Sequence, residues 1–310
     1  MTAWDGAAEA VDVAAEAPLR TNVRSEGLRA LPFTLHPAQG ESAGLVFASP
    51  HSGRIYPAEL MAAAALDASA IRRSEDAFVD ELIGAAPAHG VSVLTARYAR
   101  AFVDVNREAY ELDPAMFEDE LPAFARARTA RVAAGLGSIA RIVGEGQEIY
   151  RRKLTFAEAS RRIEAVHRPY HDALGALIDD TRRRHGRAAL IDWHSMPSAA
   201  SSGAERAQRR CDMVLGDRYG ASCAPELTRL VERELEAMGY RVARNTPYAG
   251  GYTTEFYGRP AEGMHALQIE INRAVYLDEA ALQPTAGFGR LKRDLERLVK
   301  TLARDWPRIL

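Results

Sequence analysis

The chain has 310 residues, of which 47% are apolar, and its 40 basic and 42 acidic side chains leave a formal net charge of −2 at pH 7. That size and apolar content suit one large α/β domain or two small ones, and the near-zero charge argues against a nucleic-acid-binding protein, which usually carries a basic surplus. No run approaches 18 consecutive apolar residues, so no membrane-spanning helix is expected.

Residues 1–24 are rich in Ala and Glu, which predicts a flexible leader followed by a single domain over residues 25–310. The leader carries acids but no basic stretch, so it does not resemble a signal peptide. Cys211 and Cys223 match neither a zinc-binding spacing nor a disulfide framework. These features favour a cytoplasmic protein and leave a monomer and a homo-oligomer equally open.

Strand and helix patterns alternate along the chain. An edge strand is expected at 31–35, and apolar runs that suit buried strands follow at 45–48, 91–95, 101–105, 189–191, 212–216, 240–244 and 266–273. Helices are expected from Pro57, after Ser74 as N-cap, from Gln147 with a kink or split at Pro169, and over 225–238 and 278–304. This alternation predicts an α/β fold with a mixed, mostly parallel central sheet flanked by helices. The stretch 108–146 lacks clear periodicity and is either an insertion or lid near the site or an ordinary connector.

Two of the predicted strands run directly into a histidine. His51 follows the apolar run 45–48, and His194 follows the run 189–191 within an Asp-Trp-His-Ser cluster. Ligands of open α/β sheets bind at the carboxyl ends of the strands, where two such histidines can converge on one metal ion. Asp192 is placed to orient an imidazole. The alternative for each histidine is a structural role at a strand end.

A metal site of this kind needs a third ligand and a general base. Glu75 and Asp76 are the candidate third ligands. The alternative is that they are simple acids in the first turn of a helix, where the helix dipole favours negative charge. Glu270 lies in a strand rich in Leu and Ile, where a carboxylate needs a partner or a chemical role. Beside a metal it can take a proton from water and pass it to a leaving amine, whereas the alternative is a buried salt bridge to an arginine such as Arg273.

Three arginines lie at or near strand ends, namely Arg100, Arg107 and Arg273. The planar guanidinium suits bidentate recognition of a carboxylate. Together they indicate a small anionic substrate that resembles an amino acid, although any one of them alone could be a surface arginine.

Several motifs occur together in a fixed order between residues 36 and 276. They are Ser49-Pro-His-Ser-Gly53, Glu75-Asp-Ala-Phe-Val-Asp80, Arg100 with Phe102-Val-Asp-Val-Asn-Arg107, Tyr170-His171, Ile191-Asp-Trp-His-Ser-Met196, Asn245-Thr-Pro-Tyr-Ala-Gly-Gly251 and Ile269-Glu-Ile-Asn-Arg273. This ordered combination resembles the N-formylglutamate amidohydrolase family. The resemblance implies a zinc-carboxypeptidase-like α/β fold and zinc-dependent hydrolysis of N-formyl-L-glutamate to formate and L-glutamate, late in histidine degradation.

The resemblance also implies roles for individual residues. His51, His194 and Asp76 match the metal ligands, one Zn²⁺ per chain, with Glu75 adjacent to Asp76. Glu270 matches the catalytic carboxylate, and Arg100 is expected to stabilise the oxyanion. Substrate binding is expected from Asn106, Arg107, Gly251, Thr253 and Arg273, with Thr254 as an alternative hydroxyl. One departure is that Arg54 occupies the position where zinc carboxypeptidases place a glutamate three residues after the first histidine.

Two other functions are compatible with the same residues. One is a zinc amidohydrolase for another N-acyl amino acid or a small acidic peptide. The other is a non-catalytic protein of the same fold that binds an acidic metabolite without metal or turnover.

Overall fold

A seven-stranded sheet forms the centre of the computed structural model, which describes residues 31–201 and 211–309. Its strands are β1 (Phe33–His36), β2 (Leu45–Ser49), β3 (Ser92–Ala96), β4 (Ala188–Met196), β5 (Met213–Gly216), β6 (Val242–Arg244) and β7 (Met264–Asn272). They lie in the order β1-β3-β2-β4-β7-β5-β6. The predicted leader lies outside the described residues.

Parallel pairing dominates the sheet. The pairs β3–β2, β2–β4, β4–β7 and β5–β6 are parallel, whereas β1–β3 and β7–β5 are antiparallel. The predicted α/β fold with a mixed, mostly parallel sheet is therefore confirmed. Strands β2, β4 and β7 are buried along their whole length, as expected for parallel strands covered on both faces.

Helices cover the two faces of the sheet. They are α1 (Ala58–Ala63), α2 (Val79–Leu82), α3 (Ala130–Ala133), α4 (Phe156–Arg162), α5 (Arg168–His185), α6 (Pro225–Ala237), α7 (Tyr252–Tyr257) and α8 (Gly287–Ile309). Alternate residues of β4 enter opposite cores: Ile191 and Trp193 pack with residues of α6 and α8, whereas Leu190 packs with residues of α5. In the described part of the chain, no helix combines the length and apolarity needed to cross a bilayer.

One predicted strand is absent. The run 101–105 forms turns, in which the backbone N–H groups of Phe102 and Val103 donate to the carbonyl of Ala99. Its apolar side chains are nevertheless buried, and Phe102, Val103 and Val105 belong to one core cluster. The apolar run thus indicated correctly that these side chains are buried, but the extended backbone that we inferred from it is wrong.

Ser74 does not cap a helix. It ends a short 3₁₀ helix (Ala70–Ser74), and its hydroxyl donates to the carbonyl of Ile71 at 3.3 Å. Glu75 follows in an extended conformation, so Glu75 and Asp76 precede α2 instead of forming its first turn. The buried carboxylate of Glu75 holds this segment, because it accepts hydrogen bonds from Tyr56 and Arg72.

The other helix boundaries shift for local reasons. The helix expected from Gln147 begins after Thr155, which forms a capping box with Glu158. The expected split near Pro169 is present, because a π-helical turn (Ile163–His167) separates α4 from α5 and places Pro169 in the first turn of α5. The helix expected from 278 begins at Gly287. Before it, β8 (Leu277–Asp278) pairs with β9 (Gln283–Pro284), and Pro284 disfavours a helical conformation of the residue that precedes it.

Candidate metal centre and active site

Three buried side chains converge at the carboxyl ends of the parallel strands. The Nδ1 atoms of His51 and His194 lie 3.1 Å apart although the residues are 143 positions apart in the chain. Asp76 Oδ2 lies 3.0 Å from Nδ1 of His194 and 3.3 Å from Nδ1 of His51. Their ligand atoms all lie within 4.8 Å of one another, so the structure brings together two imidazoles and one carboxylate.

The strands and one backbone contact explain this convergence. His51 follows β2, and His194 lies in β4, which pairs with β2 in parallel. The backbone N–H of Asp76 donates to the carbonyl of His51 at 3.0 Å, which brings the Asp76 carboxylate to the first histidine. Glu75, the other candidate ligand, is outside this cluster and is bound to Tyr56 and Arg72.

The spacing of the three ligand atoms fits a small divalent cation. Tetrahedral Zn²⁺ with metal–ligand bonds of about 2.0 Å separates its ligand atoms by about 3.3 Å. The three separations observed here are 3.0, 3.1 and 3.3 Å. Two imidazoles and one carboxylate are also a donor set found in catalytic zinc sites. The residues present therefore fit the ion that the sequence implies.

Further carboxylates lie against the other nitrogen of each imidazole. Nε2 of His51 is 2.7 Å from Asp104, and Nε2 of His194 is 3.0 Å from Asp192. The contact with Asp104 is a hydrogen bond of the kind that orients a metal-binding histidine and fixes its tautomer. The contact with Asp192 is a charge contact by distance, since neither oxygen of Asp192 has a hydrogen-bond partner among the described residues. Burial raises the pKa of Asp104, but the neighbouring Arg100 and His51 outweigh it and hold that pKa well below its usual value. Asp104 is therefore a charged acceptor for His51.

Glu270 lies beside this cluster on the neighbouring strand. The register of β4 and β7 pairs His194 with Glu270, and both side chains line the same cavity. Gln268 donates a hydrogen bond to Glu270 at 2.8 Å. Burial raises the pKa of Glu270 to about 7, which is near the optimum for a general base at neutral pH.

Arg273 and Ser195 hold Asp76 in place. The Ser195 hydroxyl donates to Asp76 Oδ1 at 3.0 Å, and Nη2 of Arg273 donates to the same oxygen at 3.2 Å. Other Arg273 donors bind Ser195 Oγ and the backbone carbonyls of Arg73 and Glu75. All three guanidinium nitrogens of Arg273 therefore contact protein groups, whereas the sequence led us to expect contact with a substrate carboxylate.

The cluster opens into a cavity of about 480 Å³. Arg100 and Arg107 line it: Nη2 of Arg100 donates to Asp104, and Arg107 donates to the carbonyls of Asn106 and Leu136. Arg131 also lines it, 3.8 Å from Glu111 and 4.0 Å from Glu255. Part of the unassigned stretch 108–146 forms an apolar wall of this cavity, together with Ile149; the wall consists of Leu136, Ala140, Ile142, Val143 and Ile149.

The remaining predicted substrate-binding residues meet at the start of α7. Asn106 Oδ1 accepts hydrogen bonds from the backbone N–H and the hydroxyl of Thr253, at 2.8 and 2.9 Å. Asn106 Nδ2 lies 3.1 Å from Nε2 of His194. The N–H of Gly251 donates to Gln268, and a side chain at position 251 would meet Asn106, since a Cβ there would lie 2.5 Å from its Nδ2. Asn106 is thus fixed between α7 and a metal-ligand candidate.

The sequence profile of the N-formylglutamate amidohydrolase family matches residues 43–277. The chain belongs to the N-formylglutamate amidohydrolase family. Among curated relatives, an N-formylglutamate deformylase from Pseudomonas aeruginosa is 30% identical over 76% of this chain and 83% of that protein. One of the same name from Pseudomonas putida is 34% identical over 61% of this chain and 66%, just under two thirds, of that protein.

Two solved structures have the same fold. The crystal structure of N-formylglutamate amidohydrolase from Ralstonia eutropha JMP134 is 41% identical, covers 89% of this chain and 98% of that one, and superposes with a TM-score of 0.83. A gene product of Agrobacterium tumefaciens, Atu2144, is 16% identical, with a TM-score of 0.57 over 89% of this chain and 96% of that one, and shows likeness of fold alone.

Some site residues of this family member were not assigned from sequence. Asp104 lies in the motif Phe102-Val-Asp-Val-Asn-Arg107. Its position between Arg100 and Arg107 in the sequence could have indicated an ion pair. Ser195 directly follows His194, but nothing in the sequence shows that it bonds Asp76. Tyr248 lines the cavity from a turn-rich loop, and Arg131 lines it from a short helix. In such segments the residue pattern does not predict which way a side chain points.

Proposed function

We propose that this chain catalyses the metal-dependent hydrolysis of N-formyl-L-glutamate to formate and L-glutamate. The observation that carries the proposal is the meeting, in one cavity, of the His51–Asp76–His194 cluster with the carboxylate of Glu270. Family membership and the names of the relatives support the same reaction.

The proposed cofactor is one Zn²⁺ per chain, held by His51, Asp76 and His194. When bound, the ion would polarise the formyl carbonyl and lower the pKa of a water molecule. Asp104 and Asp192 would keep the two imidazoles turned towards it.

Glu270 is the proposed general base. It would take a proton from the attacking water and transfer it to the departing amine nitrogen of glutamate. Its raised pKa, near 7 because of burial, suits both transfers at neutral pH. Arg100, which is anchored by Asp104, would stabilise the negative charge that develops on the formyl oxygen.

Arg107 is the proposed anchor for a substrate carboxylate. Burial lowers its pKa, yet a guanidinium stays charged at neutral pH. Its Nε and Nη1 groups donate to the carbonyls of Leu136 and Asn106, so Nη2 is the group that would pair with the carboxylate. Asn106, Thr253 and Gly251 would form the part of the site next to Arg107. Asn106 lies so close to Gly251 that a larger residue at position 251 would collide with it. We assign Arg273 to holding Asp76. We further propose that the reaction takes place in the cytoplasm as a step of histidine degradation, as the family resemblance implies.

Metal analysis and a substrate panel test this function. The purified chain should contain about one Zn²⁺, and it should release formate from N-formyl-L-glutamate faster than from N-formyl-L-glutamine, which lacks one carboxylate. Glu270→Gln should retain the metal and lower kcat by about 100-fold or more. Glu296→Gln, on the exposed side of α8, is the control and should behave as the wild type. Normal turnover by Glu270→Gln would reject the assigned base, and a wild type that holds no metal and shows no turnover with added zinc would favour a binding protein.

A second candidate substrate class is N-acyl glutamates with longer acyl groups. The cavity has a volume of about 480 Å³, within the range of about 300–1,000 Å³ typical of pockets for drug-sized ligands, which are larger than N-formyl-L-glutamate. One of its walls is apolar and could contact a longer acyl chain. Comparing the rates for N-formyl-, N-acetyl- and N-succinyl-L-glutamate distinguishes the two. A higher kcat/KM for the acetyl or succinyl compound would replace the formyl substrate with this class.

A further inference from the structure

His171 belongs to a motif that the proposed reaction leaves without a role. It lies on α5, outside the cavity that holds the metal ligands. Its Nε2–H donates to the backbone carbonyl of Val105 at 2.7 Å, and its Nδ1 lies 3.0 Å from the hydroxyl of Tyr257 on α7. The imidazole therefore joins α5 to two other parts of the chain.

These contacts close a circuit of hydrogen bonds. Val105 is followed by Asn106, whose Oδ1 accepts from the N–H and hydroxyl of Thr253 at the start of α7. Tyr257, at the end of α7, returns the circuit to His171. The other end of the Asn106 amide, Nδ2, lies 3.1 Å from Nε2 of His194. With His194 Nδ1 facing the metal, both of these nitrogens carry hydrogen, so the contact acts through packing: it limits how far the His194 ring can turn.

We propose that His171 is a positioning residue that fixes Asn106, and through Asn106 the imidazole of the metal-ligand candidate His194. The inference rests on the proposed function, because it assigns His194 to a metal.

A second histidine strengthens the same anchor. His167 lies one turn before His171, and its Nε2–H donates to the carbonyl of Arg107 at 2.8 Å. The two rings lie against each other with centroids 4.5 Å apart. The carbonyls on both sides of Asn106 are therefore bonded to neighbouring imidazoles of one helical surface, which leaves the Asn106 backbone little freedom.

The protonation state of His171 suits this role. Burial, and to a lesser degree the neighbouring His167, lowers the pKa of His171 to about 3, so the ring is neutral at neutral pH. A neutral imidazole has one donor and one acceptor. The Val105 carbonyl takes the donor. The Tyr257 hydroxyl lies 3.0 Å from the acceptor Nδ1 and 3.1 Å from the backbone carbonyl of His171, so its one proton serves two acceptors of the same residue.

Four variants test the proposal. His171→Leu removes both polar contacts, whereas His171→Gln keeps a donor that can reach the Val105 carbonyl. Tyr257→Phe removes only the hydroxyl and keeps the inference testable if His171→Leu does not fold. His265→Leu is the matched control, since His265 is a buried histidine that accepts from the N–H of Ala224 and packs on Trp306, away from the cavity.

The measurements are the visible spectrum of the cobalt-substituted protein and kcat/KM per bound metal on N-formyl-L-glutamate. We expect His171→Leu to shift the cobalt bands and to lower kcat/KM by about 10- to 100-fold, because sub-ångström errors in a catalytic constellation are costly. Tyr257→Phe should change both in the same direction by less, while His171→Gln should stay within about threefold of the wild type. His265→Leu should lose thermal stability alone.

Unshifted cobalt bands in His171→Leu would overturn the proposal, as would equal losses in His171→Gln and His171→Leu. If His171→Leu does not fold, wild-type bands and wild-type kcat/KM in Tyr257→Phe would do the same. A wild-type protein that binds Co²⁺ but does not hydrolyse N-formyl-L-glutamate would contradict the proposed reaction, and the spectra would still decide the role of His171.

Discussion

Asp104 lies 2.7 Å from Nε2 of His51, and Nδ1 on the other side of the same ring faces Asp76. The Asp104 carboxylate thus holds the imidazole from the side of the ring opposite the proposed metal. Asp104→Asn keeps the size of the side chain and removes its charge, so we expect metal affinity to fall by about 10- to 100-fold. Competition with a fluorescent chelator measures this.

Asp305→Asn provides the control for that experiment. Asp305 pairs with Arg304 on the surface of α8, so its removal should leave metal affinity unchanged. Wild-type affinity in Asp104→Asn would show that Asp104 does not support the ligand.

The two adjacent acids, Glu75 and Asp76, should separate metal binding from stability. Asp76→Ala should abolish stoichiometric zinc, because it removes the only carboxylate in the ligand cluster. Glu75→Gln should keep zinc but lower the free energy of unfolding, because it weakens the buried contacts with Arg72 and Tyr56. Elemental analysis and urea unfolding measure the two effects. If Glu75→Gln lost its zinc while Asp76→Ala kept it, Glu75 and not Asp76 would be the third metal ligand.

Gly251 should be intolerant of even one methyl group. A Cβ at this position would lie 2.5 Å from Nδ2 and 2.6 Å from Oδ1 of Asn106, so Asn106 must move. We expect Gly251→Ala to lower kcat/KM at least tenfold and stability by about 1–3 kcal/mol.

Gly289→Ala is the comparison for that variant. Gly289 lies in α8, where a Cβ would come no closer than 3.6 Å to the side chain of Arg293. Alanine there should leave kcat/KM unchanged and stabilise the helix by about 0.5–1 kcal/mol. A fully active Gly251→Ala would mean that Asn106 tolerates displacement.

The free energy of unfolding should decrease as the pH is lowered, because of His171. Its folded-state pKa is about 3, below the ordinary value of about 6.5, because burial and the neighbouring His167 disfavour the charged ring. Below pH 6.5 the unfolded chain binds a proton that the folded chain does not bind until about pH 3. The contribution is therefore complete above pH 6.5 and decreases as the pH falls, by up to about 1.4 kcal/mol per unit.

Urea unfolding of the metal-free protein between pH 7 and 5 measures this effect. The wild type should lose stability more steeply than His171→Gln, whose side chain does not titrate. The other titratable groups against the ring, His167, Tyr170, Tyr252 and Tyr257, are common to both proteins. Parallel curves for the two proteins would contradict the assignment.

The sequence predicted the parts of the site that depend on local pattern. His51 and His194 each follow an apolar run of strand length, and parallel strands end at the same edge of a sheet, so their meeting followed from pattern alone. The choice between Glu75 and Asp76 did not, because it depends on the backbone conformation of one extended segment and on the hydrogen bond from Asp76 to His51.

Other features depend on packing between distant parts of the chain. Residues 101–105 have the composition of a strand, but their backbone turns while their side chains enter one core cluster. The commitment of Arg273 to Asp76 and Ser195 was equally hidden, because an arginine at a strand end reads the same whether it contacts substrate or protein. The antiparallel placement of β5 against β7 is likewise set by the assembled sheet.

The apolar wall of the cavity comes from residues 136–149, which contribute no strand to the seven-stranded sheet. The imidazoles of the ligand cluster, in contrast, are carried by that sheet and the turn after β2. The apolar wall and the groups proposed for the chemistry, Arg100 and Asp104 among them, thus come from separate stretches of the chain. Insertions, deletions or substitutions within residues 136–149 can change which compounds enter, while the hydrolytic residues are inherited unchanged.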